Sequence, residues 1–500
     1  MEANVTELWK IVESLQLELS LVRANLTASL AAASVVADDL STFGTDMDML
    51  WLMLGSVLVI FMQAGFCMLE VGSVGVKHTK NMLIKNLVDL TVAALVWWTC
   101  GYGIAFDTKS AGAKLNKFVG RTGWFLKGEE WEDESGYYST TQGYNYALWL
   151  FQWSFCSTAV TITSGAVGER IAMAAYFMFA VFMVALVYPM VARWGWNSQG
   201  WASAWSSDRD DLLFGCGVID FAGSGIVHAS GGMAALVFTT LIGPRENRFT
   251  ATGDVNKQER QSIVTQTLGT FILWVGWYGF NGCSTLYISG SAHVAAKAMV
   301  CTSLSAAGGG LGVVSASMIL FHHVGPEQVS NGLLSGLVAI TAGCSVVEPE
   351  ASFIIGIVAA VNYLVFSRIL QIVHIDDMVD ASPVHLANGV WGVIAAGLFA
   401  TQEGYAASYY EERADRCCGW LYGCGPSQLL ANIAFVVVVV CWAGAWAFTI
   451  ASSLKLAGIL RISKEVERKG TDSVAHGGED LPEFAMSLLT KIEVMTAKMG

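Results

Sequence analysis

Eleven stretches of this chain are apolar for about the length a helix needs to cross a bilayer, and no other feature restricts its fold as much. They lie at about 48–69, 84–106, 144–166, 171–192, 218–242, 262–281, 293–319, 331–347, 350–372, 377–401 and 429–455. A spanning helix takes roughly 20 residues to cross a hydrocarbon core about 30 Å thick. The chain therefore reads as an all-α polytopic membrane protein with eleven transmembrane helices. Composition supports this over the two or three soluble domains that 500 residues would otherwise suggest. Hydrophobic residues make up 54% and charged residues 14%, with a mean hydropathy of +0.51, against roughly 25% charged in soluble domains.

The net charge of -13 belongs to loops and chain ends. No basic patch, zinc finger or helix-turn-helix pattern accompanies it, so nucleic acid is not an expected partner; the lipid bilayer is. No nucleophile–base pair or metal-ligand spacing emerges, so an enzyme is not expected, and no catalytic residue, metal or cofactor is assigned. The eleven Cys are scattered, mostly singly in apolar segments, where a thiol behaves as a small hydrophobe. Cys417, Cys418 and Cys424 cluster in a loop, where an outward-facing disulfide is one option.

Residues 1–45 form a separate segment. Glu13, Glu18 and Arg23 interrupt any signal-peptide core, while Leu8, Val12, Leu15, Leu19, Val22 and Leu26 alternate by four and three, which lays one apolar seam along a helix. Two readings stay open: an amphipathic helix resting on the membrane surface, or a short coiled coil joining subunits. Asn4 and Asn25 begin NVT and NLT, the glycosylation acceptor pattern, and their use would place this end outside the cell.

An odd number of spans puts the two ends of the chain on opposite sides. Lys77, Lys80, Arg170, the stretch from Arg245 to Arg260, Arg368, Lys455, Arg461 and Lys464 all fall on one side, which the positive-inside rule makes cytoplasmic. The 107–143 loop carries five Lys or Arg on the other side, balanced by Glu129, Glu130, Glu132, Asp133 and Glu134. The N-terminus is then extracellular and residues 457–500 form a cytoplasmic tail.

Two motifs place histidine inside these spans. DFAGSGIVHASGG carries Asp220 and His228, and DDMVDASPVHLANG carries Asp377 and His385. An ionisable group in hydrocarbon costs about 2.5–3.5 kcal/mol on the gentler scales and marks function by default. Each His follows its Asp by eight residues, about 12 Å along a regular helix, which puts both rings near the midplane of the bilayer, about 15 Å deep. The second helix comes five after the first, so the two enter from opposite faces, as in transporters built from inverted repeats. Asp220 is a good helix N-cap, and at the outer mouth it would also attract a cation. GWYGFNGCS, at an outer helix end, groups Trp277, Phe280, Asn281 and Ser284, while FQWSF adds Gln152 and Phe155. Beyond an interfacial aromatic belt, such rings bind small cations at about 0.5–2 kcal/mol. Lys77, His78 and Lys80 read as topology anchors, Glu70 and Asp89 as polar helix contacts. The glycine runs lack a P-loop Lys and suit close helix approach.

FMQAGFCMLEVGSV, KNMLIKN, GAVGERI, the two His motifs, GWYGFNGCS and the tail pattern ExxGxDxxxHGG all occur within residues 48–478. Together they resemble the ammonium transporter/Rhesus family, in particular its eukaryotic ammonium transporter branch. The resemblance implies a membrane domain over residues 46–456, built as a five-plus-five inverted repeat plus a final helix. It also implies a plasma-membrane homotrimer with one pore per subunit, conducting ammonium or ammonia, with methylammonium as analogue. His228 and His385 then look like the paired pore imidazoles, and Phe155 and Phe280 like the stacked gate. Trp196 and Ser284 resemble the outer recruitment site, with Asp220 behind it and Trp277 beneath. Two departures stand out. LANG follows His385 where many relatives carry a glycine pair, and Val474 stands where plant members keep a phosphorylatable Thr, with Thr471 and Ser473 close by. The implied mechanism collects the ion, deprotonates it and passes ammonia along the histidines, with the proton relayed separately by imidazoles of ordinary pKa about 6.5. An ammonium receptor signalling through the tail and a Rhesus-type electroneutral gas channel are the alternatives.

Overall fold

A computed structural model of the chain describes residues 2–107, 116–128, 131, 140–207 and 211–476. Glu129, Glu130, Glu132, Asp133 and Glu134, weighed above against the cations of their loop, fall outside the described residues, as does the tail beyond His476. The fold is helical: the described residues contain isolated bridges, such as Ile171 with Arg461, and no strand. In chain order the main helical segments are α1 (Glu2–Ser73), α2 (Val76–Phe106), α3 (Thr140–Ala166), α4 (Met173–Trp196), α5 (Ser224–Ile242), α6 (Ile263–Gly282), α7 (Ala292–Phe321), α8 (Pro326–Ile340), α9 (Pro349–Ile372), α10 (Ser382–Phe399) and α11 (Ser427–Leu456). By length and composition, α1, α2, α4, α5, α7, α9, α10 and α11 can each cross a membrane. The remaining three occupy the other apolar windows.

α1 packs along α6 and α3, α7 lies between α8 and α9, and α11 covers α5. The N-terminal heptad does not form a separate helix. α1 runs unbroken for 72 residues from Glu2 to Ser73, and an arm lying on the membrane surface would need a break near residue 45 that is not there. Asp48 fixes the base of the arm by accepting from the amides of Ile288 and Ser289 at 2.8 Å each, and Ser289 Oγ donates to Gly44 O.

Glu70 and Asp89 take their expected places in helix contacts. Glu70 accepts from Asn86 Nδ2 (2.8 Å) and Ser164 Oγ (2.9 Å), and Asp89 accepts from Tyr176 OH (2.7 Å). The buried Lys85, absent from the sequence reading, completes the cluster by donating to Ser164 O and lying 4.9 Å from the centre of the Tyr176 ring. A buried charge is tolerated only when neighbours replace its water, and these side chains do so.

The cations assigned to one side of the membrane meet at one end of the bundle. Arg170 Nε donates to Gly243 O and Arg461 Nη1 to Ile242 O, while Lys77 Nζ donates to Arg468 O in the tail. Arg245 donates three hydrogen bonds to the Asp376 carboxylate, from its amide, Nε and Nη2 at 2.8–3.0 Å, and Arg248 approaches at 3.2 Å. Burial opposes ionisation of Asp376, but Arg245 and then Arg170 outweigh it and hold the carboxyl well below the usual range. Lys77, His78 and Lys80 prove to be more than anchors. Asp472 accepts from the amides of Lys80 and Asn81 at 2.9 Å each, Thr471 pairs with His78 and His476 with Asn81. The tail thus caps the start of α2, where free amides and the helix dipole favour a carboxylate. Of the two hydroxyls near Val474, Ser473 is exposed and Thr471 is buried.

In the loops remote from this end, the cysteine cluster finds a partner that the sequence reading missed. Cys216 pairs with Cys417, and Cys418 pairs with Cys424.

Candidate pore and its histidine pair

Each histidine helix opens on a π-helical turn, Ser224–Ala229 in α5 and Ser382–Ala387 in α10. The equal Asp–His spacings therefore do not measure 12 Å of regular helix, because Asp220 and Asp377 lie before the helical turns and close them. Asp220 Oδ2 accepts from the amides of Gly225 (3.1 Å) and Ile226 (2.9 Å). Asp377 accepts from Ala381 (2.9 Å) and Ser382 (2.7 Å). What the repeated spacing records is one local structure used twice. A glycine four residues beyond each His lets the two segments cross. A Cβ on Gly232 would collide with the backbone nitrogen of Leu386, and one on Gly389 would lie 2.5 Å from Ser224 O. The LANG departure leaves this contact intact, since Gly389 is kept and the buried Asn388 donates to Pro383 O.

The crossing brings the imidazoles together. Nδ1 of His228 lies 3.2 Å from Nδ1 of His385, and the rings are 5.2 Å apart and nearly parallel at 22°. One of the two nitrogens must donate and the other accept, so the bonded pair cannot carry a proton on both Nδ1 atoms. His228 Nε2 is buried without a hydrogen-bond partner among the described residues. Trp277 stacks on His228 at 5.3 Å and donates its indole N–H to Thr341 Oγ1.

Above the pair, Phe155 and Phe280 stack at 4.0 Å, Phe280 sits 5.5 Å from His228, and Trp196 meets Phe155 edge-on at 5.7 Å. Beyond Phe155 opens a vestibule of about 760 Å³, whose lining includes Gln152, Phe155, Trp196, Ser284, Trp205 and Tyr409. Ser284 Oγ donates to Phe280 O (2.7 Å), which leaves its lone pairs for a donor in the vestibule. On the other side of the pair, His385, Phe66, Glu70, Thr161 and Asn331 enclose a small cavity of about 20 Å³. Asn331 and Val379 pass from its wall into that of a second vestibule of about 450 Å³, which Arg248, Arg260, Asp377 and Asp380 also line. The phenyl pair, the two imidazoles and the small cavity beside His385 thus follow one another between the two vestibules.

The model of the Ammonium Transporter Family matches residues 50–481. The chain belongs to the ammonium transporter family. The rice "Ammonium transporter 1 member 3" (Oryza sativa subsp. japonica) is 37% identical over 457 residues, 89% of this chain and 88% of the relative. The "Ammonium transporter 1 member 2" of Arabidopsis thaliana is 37% identical over 86% of this chain and 81% of its own. Among solved structures, Mep2 of Candida albicans superposes with a TM-score of 0.72 at 27% identity, covering 84% of this chain and 87% of that one. The "Sensor Amt Protein" gives 0.75 at 28%, covering 87% and 100%.

Two of the expected site residues, Asp220 and Trp277, do not line the vestibule. Asp220 is only 2% exposed, its carboxylate closes a helix, and it does not line the vestibule; its tie to the vestibule wall runs through its carbonyl, which accepts from Trp196 Nε1 at 2.7 Å. Trp277, expected beneath the outer site, is likewise shut off from the vestibule and backs His228. Trp205 and Tyr409, whose rings meet at a tilt with centres 4.4 Å apart on the vestibule wall, were missed; each lies in a connection with no periodicity to mark it. Asn4 and Asn25 are both on the exposed part of α1.

Proposed function

We propose that this protein transports ammonium across the plasma membrane, its eleven helices arranged as two inverted sets of five plus a final one, in a homotrimer with one pore per subunit. The N-terminus is outside and the tail in the cytoplasm. The histidine pair directly beneath the stacked phenyl gate carries this reading.

Ammonium enters the vestibule, where the face of Trp196 and the hydroxyl of Ser284 replace part of its water. The phenyl rings at 4.0 Å leave no passage for a hydrated ion. A dehydrated full charge costs many kcal/mol in an apolar channel, and ammonia far less. The ion therefore gives up its proton at the gate, and ammonia passes along His228 and His385, accepting and donating at their free ring nitrogens. The shared Nδ1 hydrogen bond offers the proton its own route, and the buried Asp220 acts through its field behind Trp196. Potassium, with no proton to lose, is excluded.

Voltage-clamp recording with ammonium and methylammonium, paired with uptake in a transport-deficient host, tests the mechanism. Wild-type protein should show both uptake and current, and His228→Ala should lose the current. Full current in that variant removes the relay. Wild-type uptake without current would mean neutral gas conduction, and absence of both a receptor.

A further inference from the structure

We propose that the exposed half of α1 is an assembly arm: outside the membrane, the arms of neighbouring copies of this chain wind into a parallel, left-handed coiled coil. This rests on the homo-oligomer proposed above and adds a contact to it. The 4–3 seam from Leu8 to Leu26 extends back to Val5, weakens at Ser29 and Ala33, and resumes in register at Val36, Leu40 and Phe43. It then continues into the span at Leu50, Leu54, Val57 and Phe61, the face of α1 left uncovered while Leu52, Val59 and Met62 are buried. One stripe of one helix thus faces outward in both halves. A strict seven-residue repeat kept over this length imposes a left-handed supercoil, because a straight helix drifts about 20° per heptad.

The arm's own chemistry names its partner. Leu8 (61% exposed), Leu40 (65%) and their fellows stand in water along a helix with nothing of its own chain against them. The unbroken helix, with Asp48 and Ser289 bracing its base, keeps the arm from folding down onto lipid. Arms rising from the same membrane face must run parallel. In that arrangement Glu18, at a g position, meets Arg23 of the next copy, at e, five residues on; such pairs set partner and orientation in parallel coils. Neither side chain has an ion-pair partner among the described residues. The mixed Leu, Val and Ala layers select no strand number, so the membrane domain sets it. Asn4 and Asn25, three heptads apart, both fall at g beside the seam, where a glycan would hold the arms apart; the coil requires both to be unmodified.

The test uses the full chain in native membranes. Under mild oxidation, Leu19→Cys in the seam should give covalently linked subunits severalfold more efficiently than Ala24→Cys on the opposite face. Equal linking at both sites, or none at Leu19→Cys, overturns the proposal. Glu18→Lys should lower linking in the Leu19→Cys background and added Arg23→Glu should restore it; failure of rescue removes the g–e pairing. An endoglycosidase mobility shift traced to Asn25 also overturns the coil. Light scattering on purified protein lacking residues 2–43 separates the two readings. An intact oligomer leaves the membrane-domain assembly standing whatever the arm does, whereas monomeric full-length protein sinks both.

Discussion

Asp220 shows what a single side chain contributes here. In sequence it looks like a cation attractant at a pore mouth, but its carboxylate is committed to two buried amides. Asp220→Ala leaves the Gly225 and Ile226 N–H groups without a partner, and a buried unpaired polar group costs about 1–3 kcal/mol. We expect this variant to melt earlier in detergent and to lose uptake with it. Asp220→Asn keeps an acceptor oxygen and should stay close to wild type in melting, so any uptake it loses reports the missing charge. The histidines were legible because an ionisable residue within an apolar run is rare on physical grounds. Lys85 was not, since beside KHTK and near a span end it looks like another flanking cation.

At the scale of elements, the crossing of α5 and α10 decides whether the two imidazoles meet. The rings meet because Gly232 and Gly389 let one backbone lie against the other. Gly389→Ala puts a methyl group 2.5 Å from a carbonyl oxygen with rigid backbone on both sides. Overpacking of this kind costs about 1–3 kcal/mol or more, so this variant should show reduced folded yield by fluorescence-detected size exclusion, and its surviving fraction reduced uptake. Normal yield with normal uptake would mean that the crossing can relax. The sequence placed both helices and Asp220 as a cap, while the cap by Asp377 and the π-helical turns went unseen because nothing in SGIVHA or SPVHLA sets a π-helical turn apart from the first turn of a regular helix.

Across the whole molecule, Asp376 and its arginines tie the connections between segments to the tail end. A carboxyl held below its unfolded pKa contributes stability that is fully present above the unfolded value, about 3.9, and is lost as pH falls through the lower folded value. The melting difference between wild type and Asp376→Asn should therefore be constant from about pH 8 to 5 and shrink only in stronger acid. A difference that fades already near neutrality would mean that Arg245 does not hold the charge. The tail gives a second prediction at this scale. Asp472→Ala uncaps α2 and should make the tail a faster target for limited proteolysis, with the membrane domain left resistant.

The helical class, the apolar windows and the gathering of cations at one end were legible along the chain itself, because apolar length and residue type are local properties that water and lipid sort segment by segment. The family motifs are local in the same way. What only the tertiary structure decided is which groups meet: His228 with His385 across 157 residues, Phe155 over Phe280, Cys216 with Cys417, and Asp472 on the start of α2. Those meetings depend on helices crossing in three dimensions, and no spacing along one helix encodes where another will pass.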